Sequence, residues 1–213
     1  GLGSSTVQNL AVTVSNVNNV PSITSTTITT ATEDAAYAYD VNATDIDAGD
    51  VLTYMLTIYP TGMTINSSSG LISWTPTNGQ VGGNNVRVRV NDVAGDSAIQ
   101  TFNVVVANVN DTPVLAAQAD TTINAGIMFS CQLHGTDIDA NSALTYRIIS
   151  GPSTASINAS SGLIQWTPTT ANAGDNFIIV RVSDEVGAFD QDTFNIFVQV
   201  STSVLTSTPA PRN

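Results

Sequence analysis

The chain repeats itself at a fixed interval. Pro21 and Pro113 stand 92 residues apart (113 − 21), and landmark after landmark returns at that offset without a gap. Thr44-Asp45-Ile46-Asp47-Ala48 returns as Thr136-Asp137-Ile138-Asp139-Ala140. Gly70-Leu71-Ile72-Ser73-Trp74-Thr75-Pro76-Thr77 returns as Gly162-Leu163-Ile164-Gln165-Trp166-Thr167-Pro168-Thr169. Ungapped self-similarity over this length means two copies of one domain. A unit of about 90 residues can just close one hydrophobic core. The repeat sets the expected boundaries: one domain over 21–112 and a second over 113–200. Residues 11–21 align with 103–113, so residues 1–20 read as the last strand and linker of a preceding copy. Residues 201–213 read as a Ser/Thr/Pro linker.

Within each copy the apolar residues alternate. Tyr37, Tyr39 and Val41 do so, as do Val86, Val88 and Val90, and later Phe102, Val104 and Val106. That is the two-residue period of a half-buried strand, and no segment carries a helical stripe. Turn signals punctuate the strands at Ala48-Gly49-Asp50, Ser68-Ser69-Gly70, Gly82-Gly83 and Ala94-Gly95-Asp96. About seven short strands in about 90 residues predict an all-β chain of tandem antiparallel β-sandwiches. Trp74 and Trp166 fall in the same hairpin of each copy and are expected in the cores, although a sugar-stacking platform is the alternative. Cys131 has Tyr39 as its repeat partner and is expected as a small buried residue.

Charge narrows the function. Seventeen acidic residues face five arginines and no lysine, for a formal charge of −12. This opposes nucleic acid and anionic membrane as partners and invites cations. No apolar run is long enough to span a bilayer. His134 is the only histidine, and Asn42 takes its place in the first copy. A repeated zinc, Cys-His or Ser-His-Asp site is therefore excluded. A carboxylate-pair hydrolase would keep its acids in one unique cleft, whereas these pairs recur. The expectation is that the chain is not an enzyme.

The repeated acids are the candidate site. In an extended strand residues i and i+2 point the same way, so Asp45 with Asp47, and Asp137 with Asp139, would each present two carboxylates together. Asp92 and Asp184 follow the valine-rich strand of each copy, and Asn and Asp residues fill the linkers. Hard oxygen ligands in this number suit calcium. The alternative is that the same side chains cap turns. Four N-x-[ST] sequons, at Asn42, Asn66, Asn110 and Asn158, would matter only in a glycosylating host.

Val88-Arg89-Val90-Asn91-Asp92-Val93-Ala94-Gly95, then Phe102 to Val106, then Asn108-Val109-Asn110-Asp111-Thr112-Pro113 resembles the end of a cadherin-type repeat and its calcium linker. Thr44-Asp45-Ile46-Asp47 resembles the cadherin Asp-x-Asp segment, and the Gly-Leu-Ile-x-Trp-Thr-Pro-Thr block resembles the dystroglycan-type cadherin-like and putative-Ig repeats of large secreted microbial proteins. The resemblance implies calcium where consecutive domains meet. It assigns Glu33, Asn108, Asn110 and Asp111 with Asp137, Asp139 and Asp184 between the two copies, and Asn16, Asn18 and Asn19 with Asp45, Asp47 and Asp92 at the start of the first. Asn19, Asn16 and Asn108 stand where such linkers carry Asp, so one or two ions per junction are implied. Ala125 stands where Glu33 would recur.

The resulting expectation is a structural repeat segment of an extracellular or cell-surface protein, a stalk, adhesin or filament with calcium-stiffened junctions. Its partners would be neighbouring repeats, other copies or a surface ligand. The alternative is an accessory or carbohydrate-binding segment of a large secreted enzyme. No unique trio of exposed aromatics is legible, which favours the stalk.

Overall fold

The computed structural model describes residues 1, 3, 7–13, 17–47 and 49–201, and divides into two compact units, Gly1–Val109 and Asn110–Asn213. Unit 1 holds β1 (Ser22–Ile23), β2 (Thr30–Thr32), β3 (Tyr37–Asp40), β4 (Ala43–Thr44), β5 (Thr53–Ile58), β6 (Thr64–Ile65), β7 (Leu71–Trp74), β8 (Gly82–Asn91) and β9 (Ser97–Ala107). Unit 2 repeats the series as β10 (Val114–Leu115), β11 (Thr121–Asn124), β12 (Phe129–Gln132), β13 (Gly135–Thr136), β14 (Thr145–Ser150), β15 (Ser156–Ile157), β16 (Leu163–Trp166), β17 (Gly174–Ser183) and β18 (Phe189–Gln199). Among the described residues the only helical segments are single 3-10 turns at Asn78–Gln80 and Thr170–Asn172.

Each unit is a sandwich. In unit 1 a four-stranded sheet of order β2-β9-β8-β5 faces a three-stranded sheet of order β3-β7-β6, with a short β1-β4 pair. Unit 2 has the corresponding sheets β11-β18-β17-β14 and β12-β16-β15, and the pair β10-β13. The pairings are antiparallel except β2 with β9 and β11 with β18, which run parallel. The alternation read in the sequence is the alternation of the faces. Val86, Val88, Val90, Val104 and Val106 fill the first core, and Ile178, Val180, Val182, Ile196 and Val198 fill the second. Burying each of these side chains contributes roughly 1.5–3 kcal/mol.

Trp74 and Trp166 are buried in matching places, opposite Tyr37 and Phe129. The two differ in one respect. Trp166 Nε1 donates to Thr154 Oγ1 at 3.0 Å, whereas Trp74 Nε1 is buried with no partner among the described residues. The position of Thr154 is filled by Gly62 in unit 1, so the hydroxyl is missing. Cys131 departs from expectation. It is only half-buried on β12, and its thiol donates to Gln118 Oε1 at 3.1 Å. It packs against the second core from its margin, where Gln118, in the chain leading into β11, reaches the thiol.

The hairpin before β7 needs a glycine. Gly70 has φ +80°, and a Cβ there would overlap the Val41 carbonyl oxygen and lie 3.0 Å from the Tyr54 ring. Gly95 has φ +106° but open space around it. Gly70→Ala is therefore expected to destabilise unit 1 by about 2–3 kcal/mol, and Gly95→Ala by about 1 kcal/mol. Urea unfolding of the two variants checks this ordering, and equal losses would refute the steric account.

The described residues 7–13 carry no strand, and Leu10 and Val12 are exposed. Residues 202–213, read as a linker, and Asn16 lie outside the described residues.

Candidate functional site

The acidic loops lie at the end of each unit where β4 and β8, or β13 and β17, terminate. Asp45 and Asp47 follow β4 directly. They do not stand on an extended strand, as the two-residue spacing suggested. The chain turns instead, with Asp47 N donating to Asp45 Oδ1 at 3.0 Å, while Ile46 points to solvent. Asp139 N donates to Asp137 Oδ1 at the same distance in unit 2. An Asx turn offers the backbone a local hydrogen bond that competes with the strand ladder. The two readings of these acids thus meet in one loop: one oxygen caps the turn, and others remain to be neutralised.

Asp92 and Asp184 do the same on the facing loop. Asp92 Oδ1 accepts from Gly95 N at 2.6 Å and Asp96 N at 2.8 Å. Asp184 Oδ1 accepts from the N–H groups of Val186, Gly187 and Ala188. Their second oxygens take the linker: Asn18 Nδ2 donates to Asp92 Oδ2 at 3.0 Å, and Asn110 Nδ2 to Asp184 Oδ2 at 2.8 Å. The asparagine amide is the largest of the influences that hold both carboxyls below the usual aspartate range, and the backbone N–H groups add to it against desolvation. Each linker is pinned a second time, since Asn19 N donates to Asp47 Oδ2 at 2.6 Å and Asp111 N to Asp139 Oδ2 at 2.7 Å. Within unit 1 Glu33 is 1 % exposed and accepts through Oε1 from Val109 N. Asn108 is exposed.

In unit 1 the loop gathers a third acid that the sequence motif did not include. One carboxylate oxygen from each of Asp45, Asp47 and Asp50 lies within 4.8 Å of the others. Asp45 Oδ2 and Asp50 Oδ2 are buried without a hydrogen-bond partner among the described residues. Desolvation, followed by the like charges of Asp45, Asp47 and Asp92, pushes Asp50 above the ordinary carboxylate range. Unit 2 has Ser142 in this place, and its hydroxyl donates to Asp137 Oδ2 at 2.9 Å. Glu185 then accepts from Ala143 N at 2.9 Å, and the neighbouring N–H groups hold its carboxyl below the usual glutamate range. Asp139 Oδ1 and Glu33 Oε2 are likewise buried with no partner among the described residues. Acceptor-only oxygens buried this way are costly unless a cation meets them. A hard divalent ion fits the donor set, which is all oxygen.

Asp50 and Asp96 escaped the sequence reading because both sit in turn signals, Ala48-Gly49-Asp50 and Ala94-Gly95-Asp96. Asn18 Nδ2 reaches Asp96 Oδ2 at 2.8 Å, a contact no local pattern announces.

A sandwich with Asx-turn acids at one end and an Asn-rich linker folded onto them defines an Ig-like domain of the cadherin-like kind. The comparisons agree. Residues 20–107 match the family described as Putative Ig domain, and residues 110–197 match Bacterial Ig domain. The chain is a tandem of cadherin-like, Ig-like repeats. Among solved structures, protocadherin gamma B2 extracellular domains 1–5 align at 16% identity and TM-score 0.66, covering 88% of this chain and 42% of that one. Mouse cadherin-23 EC22–24 aligns at 20% identity and TM-score 0.59, covering 85% and 67%. These likenesses show the fold alone. An endo-fucoidan hydrolase of glycoside hydrolase family 107 aligns at 22% identity over 86% of this chain, but at TM-score 0.41 the likeness supports no argument. The chain spans only 29% of that hydrolase. None of the curated proteins compared matches the chain.

Proposed function

We propose that the chain is a structural repeat segment of an extracellular or surface protein, and that calcium stiffens its domain junctions. The supporting observation is the set of buried carboxylate oxygens without a hydrogen-bond partner: Asp45 Oδ2 and Asp50 Oδ2 in unit 1, and Asp139 Oδ1 in unit 2. In unit 1 the ion would be held by Asp45, Asp47, Asp50 and Asp92, with Asn18 and Asn19 nearby in the linker. In unit 2 it would be held by Asp137, Asp139, Asp184, Asn110 and Asp111. The resemblance adds Glu33 and Asn108 to that second set, and Asn16 to the first. Bound calcium would neutralise clustered carboxylates and tie the linker to the loops, where a bare linker hinges. Ig-like and cadherin-like domains are typically extracellular and non-catalytic, and no helix among the described residues is long and apolar enough to cross a membrane.

Calorimetry with calcium, run beside small-angle scattering, tests the reading. Binding in the range of extracellular modules is expected, about 10⁻⁴ to 10⁻³ M, with a larger maximum dimension in calcium than in chelator. Absence of binding heat together with identical scattering curves would refute it.

A further inference from the structure

The outer face of the four-stranded sheet of unit 2 carries chemistry that the fold does not require. Ile178, Val180 and Val182 point inward from β17, so Asp175, Phe177, Ile179, Arg181 and Ser183 point outward. On β18 the outward set is Phe189, Gln191, Thr193, Asn195 and Phe197. Three phenylalanines thus stand in solvent, with Phe177 61% exposed, Phe189 46% and Phe197 41%. This corrects the expectation that no such trio exists. The equivalent positions in unit 1 are Asn85, Ser97 and Val105, so the same sandwich closes without aromatics there.

The cations converge on the same face. Arg147 of β14 is the direct cross-strand partner of Arg181. Like charges directly opposite one another are destabilising, and neither arginine forms an ion pair with a carboxylate among the described residues. Arg181 lies 3.8 Å above the Phe189 ring. With the Gln191 amide turned to accept, Arg181 Nη2 and Nε donate to it at 2.7 and 2.9 Å. The guanidinium is held in place beside an exposed ring. Asp190 and Asp192 of β18 point to the other side, where they accept from Leu115 N and Gln118 N. The one outward carboxylate of β17, Asp175, sits at the far end and accepts from Asn195 Nδ2 at 2.6 Å. In unit 1 the row of Arg147, Arg181 and Gln191 reads Met55, Arg89 and Ile99.

We propose that this face binds a linear anionic polysaccharide, one whose sugars carry carboxylates or sulfates. The arginine pair supplies the charge complementarity, because an anion between the two guanidiniums relieves their repulsion and accepts charge-assisted hydrogen bonds. The exposed rings present negative π-faces to the C–H faces of sugar rings, and the Gln191 amide nitrogen and the Thr193 hydroxyl face the sugar hydroxyls. The size of the strip decides between occupants. Eight residues of strand give about 27 Å of length, and three strand spacings give about 14 Å of width. That area of about 400 Å² is half of the roughly 800 Å² per partner in a standard protein interface, yet it suits an extended polymer. Nucleic acid presents a phosphate at every nucleotide and needs more than two cations, on a chain that is otherwise strongly acidic.

The face is independent of the calcium sites, so the test is run in chelator. Affinity electrophoresis of the whole chain uses gels containing polygalacturonate, dextran sulfate, neutral dextran or a single-stranded oligonucleotide. Retardation by polygalacturonate or dextran sulfate is expected, and which of the two retards more tells carboxylate from sulfate. Arg147→Gln with Arg181→Gln should weaken it at least about tenfold, the loss of roughly one charge-assisted bond. Phe177→Ser with Phe197→Ser should also weaken it, whereas Arg87→Gln with Arg89→Gln in unit 1 should not. No retardation of the unaltered chain, undiminished retardation of the arginine variant, or equal retardation by neutral dextran or oligonucleotide overturns the proposal. Sedimentation showing self-association that the arginine variant abolishes would assign the face to a second copy and overturn it equally.

Discussion

Asp50→Asn is expected to change sign with calcium. In chelator the carboxylate of Asp50 is desolvated and crowded by Asp45, Asp47 and Asp92, which raises its pKa in the folded state. A raised acid binds its proton more tightly when folded. Stability therefore falls as pH rises from the unfolded value, about 3.9, through the raised folded one, and above that the full cost is present. Removing the charge should raise the melting temperature of unit 1 in chelator. In calcium the same carboxylate becomes a ligand, so its removal should lower the melting temperature instead. The calcium effect is the large one: at 100 times the dissociation constant, bound ligand stabilises by about 2.7 kcal/mol, or about 10–20 °C for a domain of this size. Trp74 is the only tryptophan of unit 1, so its fluorescence in a Trp166→Phe background follows that unit alone. A variant that melts lower than its parent in chelator, or gains as much from calcium as its parent does, would contradict the assignment of Asp50.

Trp166→Ala should be the most damaging single change in unit 2 and should leave unit 1 untouched. Trp166 is 2% exposed, among the largest fully buried side chains, and its indole N–H is satisfied by Thr154. Truncating such a side chain costs about 3–5 kcal/mol, a large fraction of a small domain's stability. The transition of unit 2 should fall by at least about 12 °C. The buried residues form two separate clusters, one per unit, so Trp74 fluorescence should report an unchanged transition in unit 1. Trp74→Ala should cost unit 1 less, because the indole N–H of Trp74 has no partner to lose. Differential scanning calorimetry with the fluorescence record checks both statements. A shift of both transitions by Trp166→Ala would show that the cores are coupled.

The sandwich could be read from the chain because its signal is periodic and doubled. Val86, Val88 and Val90 and their counterparts Ile178, Val180 and Val182 alternate with polar neighbours, and a repeated Trp-Thr-Pro anchors the register. The Asp-x-Asp and linker asparagines could be read because they recur. What recurs imperfectly was hidden. Asp50 has Ser142 as its counterpart and Asp96 has Ala188, so neither belongs to a shared motif. Phe177 precedes Ile178, Ile179 and Val180, a run apolar on both faces, and periodicity cannot say which side of such a run meets water. The parallel pairing of β2 with β9 rests on backbone hydrogen bonds between distant segments, for which Thr30 and Ala31 give no side-chain signal.

That parallel pairing decides how each unit would carry tension. Once the two-residue strands β1 and β10 have parted from β4 and β13, the chain runs into the start of β2 and leaves through the end of β9, and in unit 2 it runs into β11 and leaves through β18. Pulling on these ends draws two parallel neighbours past one another along their length. The hydrogen bonds between them are then sheared together rather than peeled one at a time. Unit 1 sets three residue pairs in this clasp, Thr30 with Val105, Ala31 with Val106 and Thr32 with Ala107. Unit 2 sets four, from Thr121 with Ile196 to Asn124 with Gln199. Under load the first unit is the weaker link, and it would extend while the face bearing Phe177 and Arg181 stayed folded.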